Sequence, residues 1–265
     1  MTDSRPIGIF DSGVGGLTVV GKMGEILPSE DLVYFGDTAR VPYGTKSKET
    51  VTKFSVENVE FLMGHNVKLV IVACNTASSL SLEFLKRCFR VPIIGVIEPG
   101  ARQAVSSTRN NRIGVIGTHA TVSSGSYEKA VKKMNMRNSV FTQACPLFVP
   151  LVEEGWVDKP VTRTIAEIYL KPFKARSIDT LILGCTHYPI LKDVIRKVVG
   201  PSVVLIDSAK EVAREAKGIL DASGLLNNAG RKGEHKFFVS DEPNRFIKIG
   251  GRFLKRRIKC VKRHN

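Results

Sequence analysis

The 265-residue chain has one tryptophan, only five cysteines, and no apolar run long enough to span a membrane. The cysteines, Cys74, Cys88, Cys145, Cys185 and Cys260, are odd in number, far apart and without a Cys-x-x-Cys pair. Neither a disulfide framework nor a zinc ribbon is indicated, and a reducing compartment fits best. Cys88 and Cys145 are expected to be small buried hydrophobes, and Cys260 to be exposed in a basic tail. Met1-Thr2-Asp3-Ser4-Arg5-Pro6 leads directly into a strand-like run without the apolar core of a signal peptide, so a cytoplasmic protein is expected. A dinucleotide loop is also missing: Gly13-Val14-Gly15-Gly16 follows a strand, but Thr18 stands where the third glycine of that fingerprint belongs.

Acidic residues are scarce at one end. After Glu242 there are none, whereas Arg245, Lys248, Arg252, Lys255, Arg256, Arg257, Lys259, Lys262 and Arg263 follow, and the formal net charge is +15. Clustered Lys and Arg release counterions from phosphate, so nonspecific nucleic-acid binding through this tail is one reading. No zinc-finger spacing or ribonucleoprotein aromatic motif supports sequence-specific recognition, and a solvated helix face and tail is the preferred expectation. With 43% hydrophobic and 25% charged residues, the composition is that of an ordinary globular protein.

Apolar strand-like runs occur at Ile7 to Phe10, Leu32 to Phe35, Leu69 to Ala73, Ile93 to Val96, Ile113 to Ile116, Leu181 to Leu183 and Val203 to Ile206. Helix-like segments, Leu17 to Leu27, Lys46 to Met63, Val161 to Tyr169 and Lys210 to Leu220, lie between several of them. Alternation of this kind predicts an α/β fold with a mostly parallel sheet. The chain also repeats itself, since Ile7-Gly8-Ile9-Phe10-Asp11 is similar to Ile113-Gly114-Val115-Ile116-Gly117. Two similar α/β halves are expected, with their mouths facing each other.

The strongest repeat is chemical. Val70-Ile71-Val72-Ala73-Cys74-Asn75-Thr76 and Leu181-Ile182-Leu183-Gly184-Cys185-Thr186-His187 each run along a strand and stop at a cysteine followed by two small or polar residues. Strand carboxyl ends are where open α/β sheets bind ligands, and a helix starting there offers free amides to an anion. Two thiols so placed suggest one active site with a cysteine on either face. A racemase needs that arrangement, because it removes a proton from one face of a stereocentre and delivers one to the other. Thiols suit the task if helix amides and hydrogen bonds move their pKa from about 8.5 toward neutrality.

These stretches, with Ile9-Phe10-Asp11-Ser12-Gly13-Val14-Gly15-Gly16-Leu17, Val41-Pro42-Tyr43-Gly44, Tyr188-Pro189 and Cys145-Pro146-Leu147-Phe148-Val149-Pro150-Leu151-Val152-Glu153-Glu154-Gly155, resemble the glutamate racemases of the aspartate/glutamate racemase family. The motifs run in the family's order from Ile7 to about Asp207. The resemblance implies two mostly parallel-sheet α/β domains related by pseudo-twofold symmetry, residues 1–98 plus 208–265 and residues 99–207, with the active site in the cleft between them. It implies proton abstraction from D-glutamate by Cys74 and from L-glutamate by Cys185, with no cofactor and no metal. It also implies a homodimer that supplies D-glutamate for peptidoglycan.

Asp11 is either a local cap or a carboxylate that orients Cys74, and the resemblance pairs it with Cys74 as it pairs His187 with Cys185. Ser12, Asn75, Thr76 and Thr186 are candidate donors to a substrate carboxylate, helix capping being their ordinary alternative. The resemblance adds the Tyr43-Gly44 turn, Thr118 and Thr121 to the substrate-facing set. Asp37 and Glu153 are candidates for a place behind it, simple solvation being their ordinary alternative. A cysteine hydrolase using Cys185 and His187 would leave Cys74-Asn75-Thr76 unexplained. Aspartate racemase is the nearer alternative, but related aspartate enzymes typically carry glutamate where this chain has His187.

Overall fold

A computed structural model describes residues 3–254 and 256–264, so Lys255 of the basic tail lies outside the described residues. Among the described residues ten strands form two sheets in which every pairing is parallel: β1 (Ile7–Asp11), β2 (Leu32–Gly36), β3 (Leu69–Val72), β4 (Ile93–Gly95), β5 (Arg112–Gly117), β6 (Ser139–Ala144), β7 (Thr180–Gly184), β8 (Val204–Ile206), β9 (His235–Val239) and β10 (Lys262–Arg263). Their order is β10-β9-β2-β1-β3-β4 in one sheet and β6-β5-β7-β8 in the other.

Strands β1 to β4 of the first sheet and all four of the second follow the same plan. The first strand of each set lies between the second and third, and the fourth flanks the third. The chain thus reverses its direction of travel across the sheet beside β1 and again beside β5, and such switch points open a crevice at the strand carboxyl ends. Cys74 follows the third strand of one set and Cys185 the third strand of the other.

Strands β1 and β3 read as unbroken apolar runs because both faces of the first sheet are covered. Ile7, Ile9, Leu69 and Ile71 point into one core cluster, while Phe10, Val70 and Val72 point into another on the opposite face. All seven strand-like runs of the sequence are strands. Three further strands escape the apolar pattern: β6 is a half-exposed edge, and β9 and β10 carry His, Lys and Arg. After β8 the helix Ser208–Ala222 returns the chain to the first sheet, which β9 and β10 extend.

The helix Pro243–Leu254 buries Phe246, Ile249 and Phe253 and exposes Arg245, Lys248 and Arg252. Its basic face is exposed and also meets acidic neighbours. Arg245 lies 3.6 Å from both Glu153 and Glu154, and Arg252 donates to the Glu153 carbonyl at 3.4 Å. Cys145 is buried and Cys260 exposed, but Cys88 is exposed rather than buried, because it ends the helix Leu82–Cys88 on its outer side. Among the described residues no helix is long and apolar enough to cross a membrane.

Candidate active site

Both sheets bring their chemistry to one narrow pocket, lined by Ser12, Tyr43, Gly44, Cys74, Asn75, Thr76, Thr118, Cys185, Thr186 and His187, with Val41, Pro42 and Val149. A larger pocket adjoins it and shares Val41, Pro42, Gly44, Thr118 and Val149. The motifs from β1, β3, β5 and β7 therefore converge although they are distant in sequence.

Cys74 occupies the N-cap position of the helix Asn75–Leu80 and is 5% exposed, and Cys185 follows β7 and is 7% exposed. Their surroundings differ. The Cys74 thiol donates to Ser12 Oγ at 3.7 Å, whereas Cys185 Sγ lies 4.0 Å from His187 Nδ1. His187 Nε2 in turn lies 3.1 Å from Glu153 Oε1, and its ring stands edge-on to Phe253. Burial alone would lower the His187 pKa, but hydrogen bonds and charge from Cys185 and Glu153 outweigh it and push it up to about 10. The arrangement favours an imidazolium beside Cys185.

Cys74 departs from the expected drift toward neutrality. Burial, followed by the negative field of Asp11, pushes its pKa up to about 12, and the weaker hydrogen bonds from Ala77 and Ser12 do not compensate. Asp11 does not pair with this thiol through a hydrogen bond. It accepts from Gly13 N at 3.1 Å and from Thr186 Oγ1 at 3.4 Å, and burial raises its own pKa against the opposing influence of His187. The symmetry expected between Asp11–Cys74 and His187–Cys185 is therefore only partial.

Three hydroxyls meet at the junction of the two halves. Thr76 Oγ1 is 2.9 Å from Thr118 Oγ1 and 3.3 Å from Thr121 Oγ1, and Thr118 donates to Thr121 at 3.0 Å. Of the threonines and Asn75, only Thr118 caps a helix with its side chain, accepting from Thr121 N at 3.2 Å. Gly44 is needed for this close approach, since a Cβ there would lie 2.6 Å from Thr118 Cβ.

Asp37 and Glu153 hold residues of the pocket in place. The Tyr43 hydroxyl donates to the fully buried Asp37, which also accepts from Arg40 Nε at 2.7 Å and Ser240 Oγ at 2.9 Å. Burial raises the Glu153 carboxyl and His187 lowers it further, leaving it below its usual value. Sequence reasoning missed Tyr127, whose hydroxyl donates to Asn75 Oδ1 at 2.7 Å, and Phe253 behind His187. The apolar stripe Phe246, Ile249, Phe253 was a signal for the second; Tyr127 has no local one. Among the described residues there is no group of three or more His, Cys, Asp or Glu side chains that could hold a metal ion.

Comparison with known proteins agrees with this architecture. A glutamate racemase of Geobacter metallireducens is 54% identical over 250 residues, 94% of this chain and 93% of that protein. The crystal structure of glutamate racemase isoform RacE1 from Bacillus anthracis matches with a TM-score of 0.95 at 41% identity, over 98% of this chain and 97% of that one. A glutamate racemase from Francisella tularensis, crystallised in complex with D-glutamate, matches with a TM-score of 0.93 at 39% identity, over 99% and 98% of the two chains. The Asp/Glu/Hydantoin racemase family model spans residues 7–216, which takes in both cysteine motifs and every lining residue of the pocket, and the chain belongs to that family.

Proposed function

We propose that this chain interconverts L- and D-glutamate by two-base proton transfer without a cofactor. The observation that carries the reading is the pair of buried thiols, at the ends of corresponding strands of two sheets, lining one pocket. Cys185, beside the His187 imidazolium, takes the α-proton of the L enantiomer while Cys74, held as a thiol, protonates the opposite face. The roles reverse for the D enantiomer. Ser12, Asn75, Thr76 and Thr186 supply hydrogen bonds to the substrate carboxylates, which gain charge as the α-carbon loses its proton, and Tyr43, Gly44, Thr118 and Thr121 complete the pocket. Asp11 acts on the Cys74 side through its charge.

The proposal extends to a homodimer of two-domain subunits, divided near residues 98 and 207, that supplies D-glutamate for peptidoglycan. The test is incubation of chelator-dialysed protein with L-glutamate or L-aspartate in deuterium oxide, followed by chiral chromatography and mass spectrometry. Glutamate should racemise and gain α-deuterium. The Cys185–His187 contact would also suit a cysteine hydrolase, and an acyl-enzyme on Cys185 without α-deuterium exchange would favour that chemistry instead.

A further inference from the structure

Tyr127 reaches both cysteine motifs from a helix, Ser126–Met134, that carries none of the expected site residues. Its hydroxyl donates to Asn75 Oδ1, next to Cys74, while a Cβ on Gly184, next to Cys185, would lie 3.0 Å from its ring atom Cε2. Gly100 borders the other ring edge, where a Cβ would lie 3.5 Å from Cε1. The ring is 2% exposed and Asn75 is 4% exposed.

An asparagine amide has one acceptor end and one donor end, and only its partners decide which faces a ligand. Burial, the largest cause, raises the Tyr127 phenol pKa, so the phenol keeps its proton. Its O–H is donated to Asn75 Oδ1 at 2.7 Å. The Asn75 Nδ2 hydrogens are then left for the pocket.

We infer that Tyr127 is a positioning residue, which turns the Asn75 amide so that its N–H groups meet a substrate carboxylate. The inference rests on the racemase reading and adds to it the residue that sets the polarity of one carboxylate contact. Without the phenol hydroxyl, the amide can rotate and present Oδ1 to the carboxylate, which is repulsive. The carboxylate is bound before proton transfer as well as during it, so the loss raises KM, and kcat falls only by the extra strength the contact gains in the transition state.

The test is Tyr127→Phe, which keeps the ring between Gly100 and Gly184, assayed in both directions in the parent and in an Asn75→Ala background. A hydrogen bond to a charged group is lost, so KM for each enantiomer should rise about tenfold, with kcat within about threefold of the parent. In Asn75→Ala the same change should have no further effect. A fall in kcat at unchanged KM would instead mark Tyr127 as a support for the Cys74 loop and overturn the inference, as would an equal effect in both backgrounds. If Tyr127→Phe does not fold, Asn75→Asp carries the test: it keeps an acceptor for the Tyr127 hydroxyl but has no N–H for the carboxylate, so a rise in KM of about tenfold or more supports the inference and an unchanged KM overturns it. A parent protein that does not racemise glutamate would remove the racemase reading, and this inference with it.

Discussion

Thr186 Oγ1 donates across 3.4 Å to Asp11 Oδ1, so the residue after one cysteine touches the carboxylate on the strand beside the other. The contact is possible because Gly15 passes directly under Thr186 and His187. A Cβ there would stand 2.6 Å from His187 Nδ1 and closer still to Thr186 Oγ1. Gly15→Ala should displace both side chains and cut kcat/KM by more than about tenfold, while overpacking costs about 1–3 kcal/mol of stability. Kinetics beside a thermal melt check this; full activity would show that the two halves do not depend on that approach.

Each turnover needs a base on one face and an acid on the other. Cys74→Ala and Cys185→Ala should therefore each reduce racemisation by about 10²- to 10⁴-fold, and in both directions. The two directions are linked, because enantiomers have equal free energy in water and kcat/KM must be the same from either side. Circular dichroism from each enantiomer measures this. Near-parental rates in either variant would mean that a single group serves both faces.

The pH response follows from His187. Burial lowers its pKa, but Cys185 and Glu153 raise it more, to about 10. Activity should fall as pH rises through about 10 and the imidazolium beside Cys185 is lost. Glu153→Gln removes one of the raising partners and should move this limb to lower pH, equally in both directions. Because the folded value exceeds the ordinary 6.5, the stability contributed by this proton is complete below about 6.5 and is lost as pH rises through about 10. Rate profiles and denaturant melts across that range test both statements; an unmoved limb in Glu153→Gln would assign it to another group.

The strands that carry the chemistry were legible because buried parallel strands are nearly pure apolar runs, and the cysteines interrupt two of them at the same place. Asn75, Thr76, Thr186 and His187 could be read beside those cysteines because they are contiguous with them. Tyr127 and Phe253 were not, since what ties them to the site is packing between distant segments. The asymmetry of the two thiols was also hidden. Its origin is the neighbouring charge, a buried carboxylate near Cys74 and an imidazole near Cys185, and a sequence gives neither the distance nor the desolvation.

Lys68 sits in a buried ion pair and does not line the candidate site. Its buried Nζ lies 2.7 Å from Glu30 Oε2 and donates to the carbonyls of Asp3 and Leu225, while Glu30 Oε1 accepts from Asn227 N at 2.8 Å. Removing one member of such a pair leaves the other charge buried, so Lys68→Met should destabilise by about 3–5 kcal/mol. Lys68 immediately precedes β3, whereas Cys74 follows its far end, so kcat and KM well below the melting temperature should stay unchanged. Chemical denaturation with parallel kinetics would expose a coupling between the two ends if one existed.

The basic tail divides by position. Arg245 and Arg252 meet Glu153 and Glu154 at the rim of the site, but Arg256, Arg257 and Lys259 are exposed beyond the helix. Their positive field should speed encounter with an anionic substrate, weakly at physiological salt, where screening acts over about 8 Å. Selectivity is a short-range matter. A pocket whose hydrogen bonds match two carboxylates at glutamate's spacing leaves one group of the shorter aspartate unpaired. Changing Arg256, Arg257 and Lys259 together to Gln should lower kcat/KM modestly at low salt, have little effect at high salt, and leave the preference for glutamate over aspartate intact. Competition between the two amino acids measures that preference directly, and its reversal would place the tail inside the substrate site.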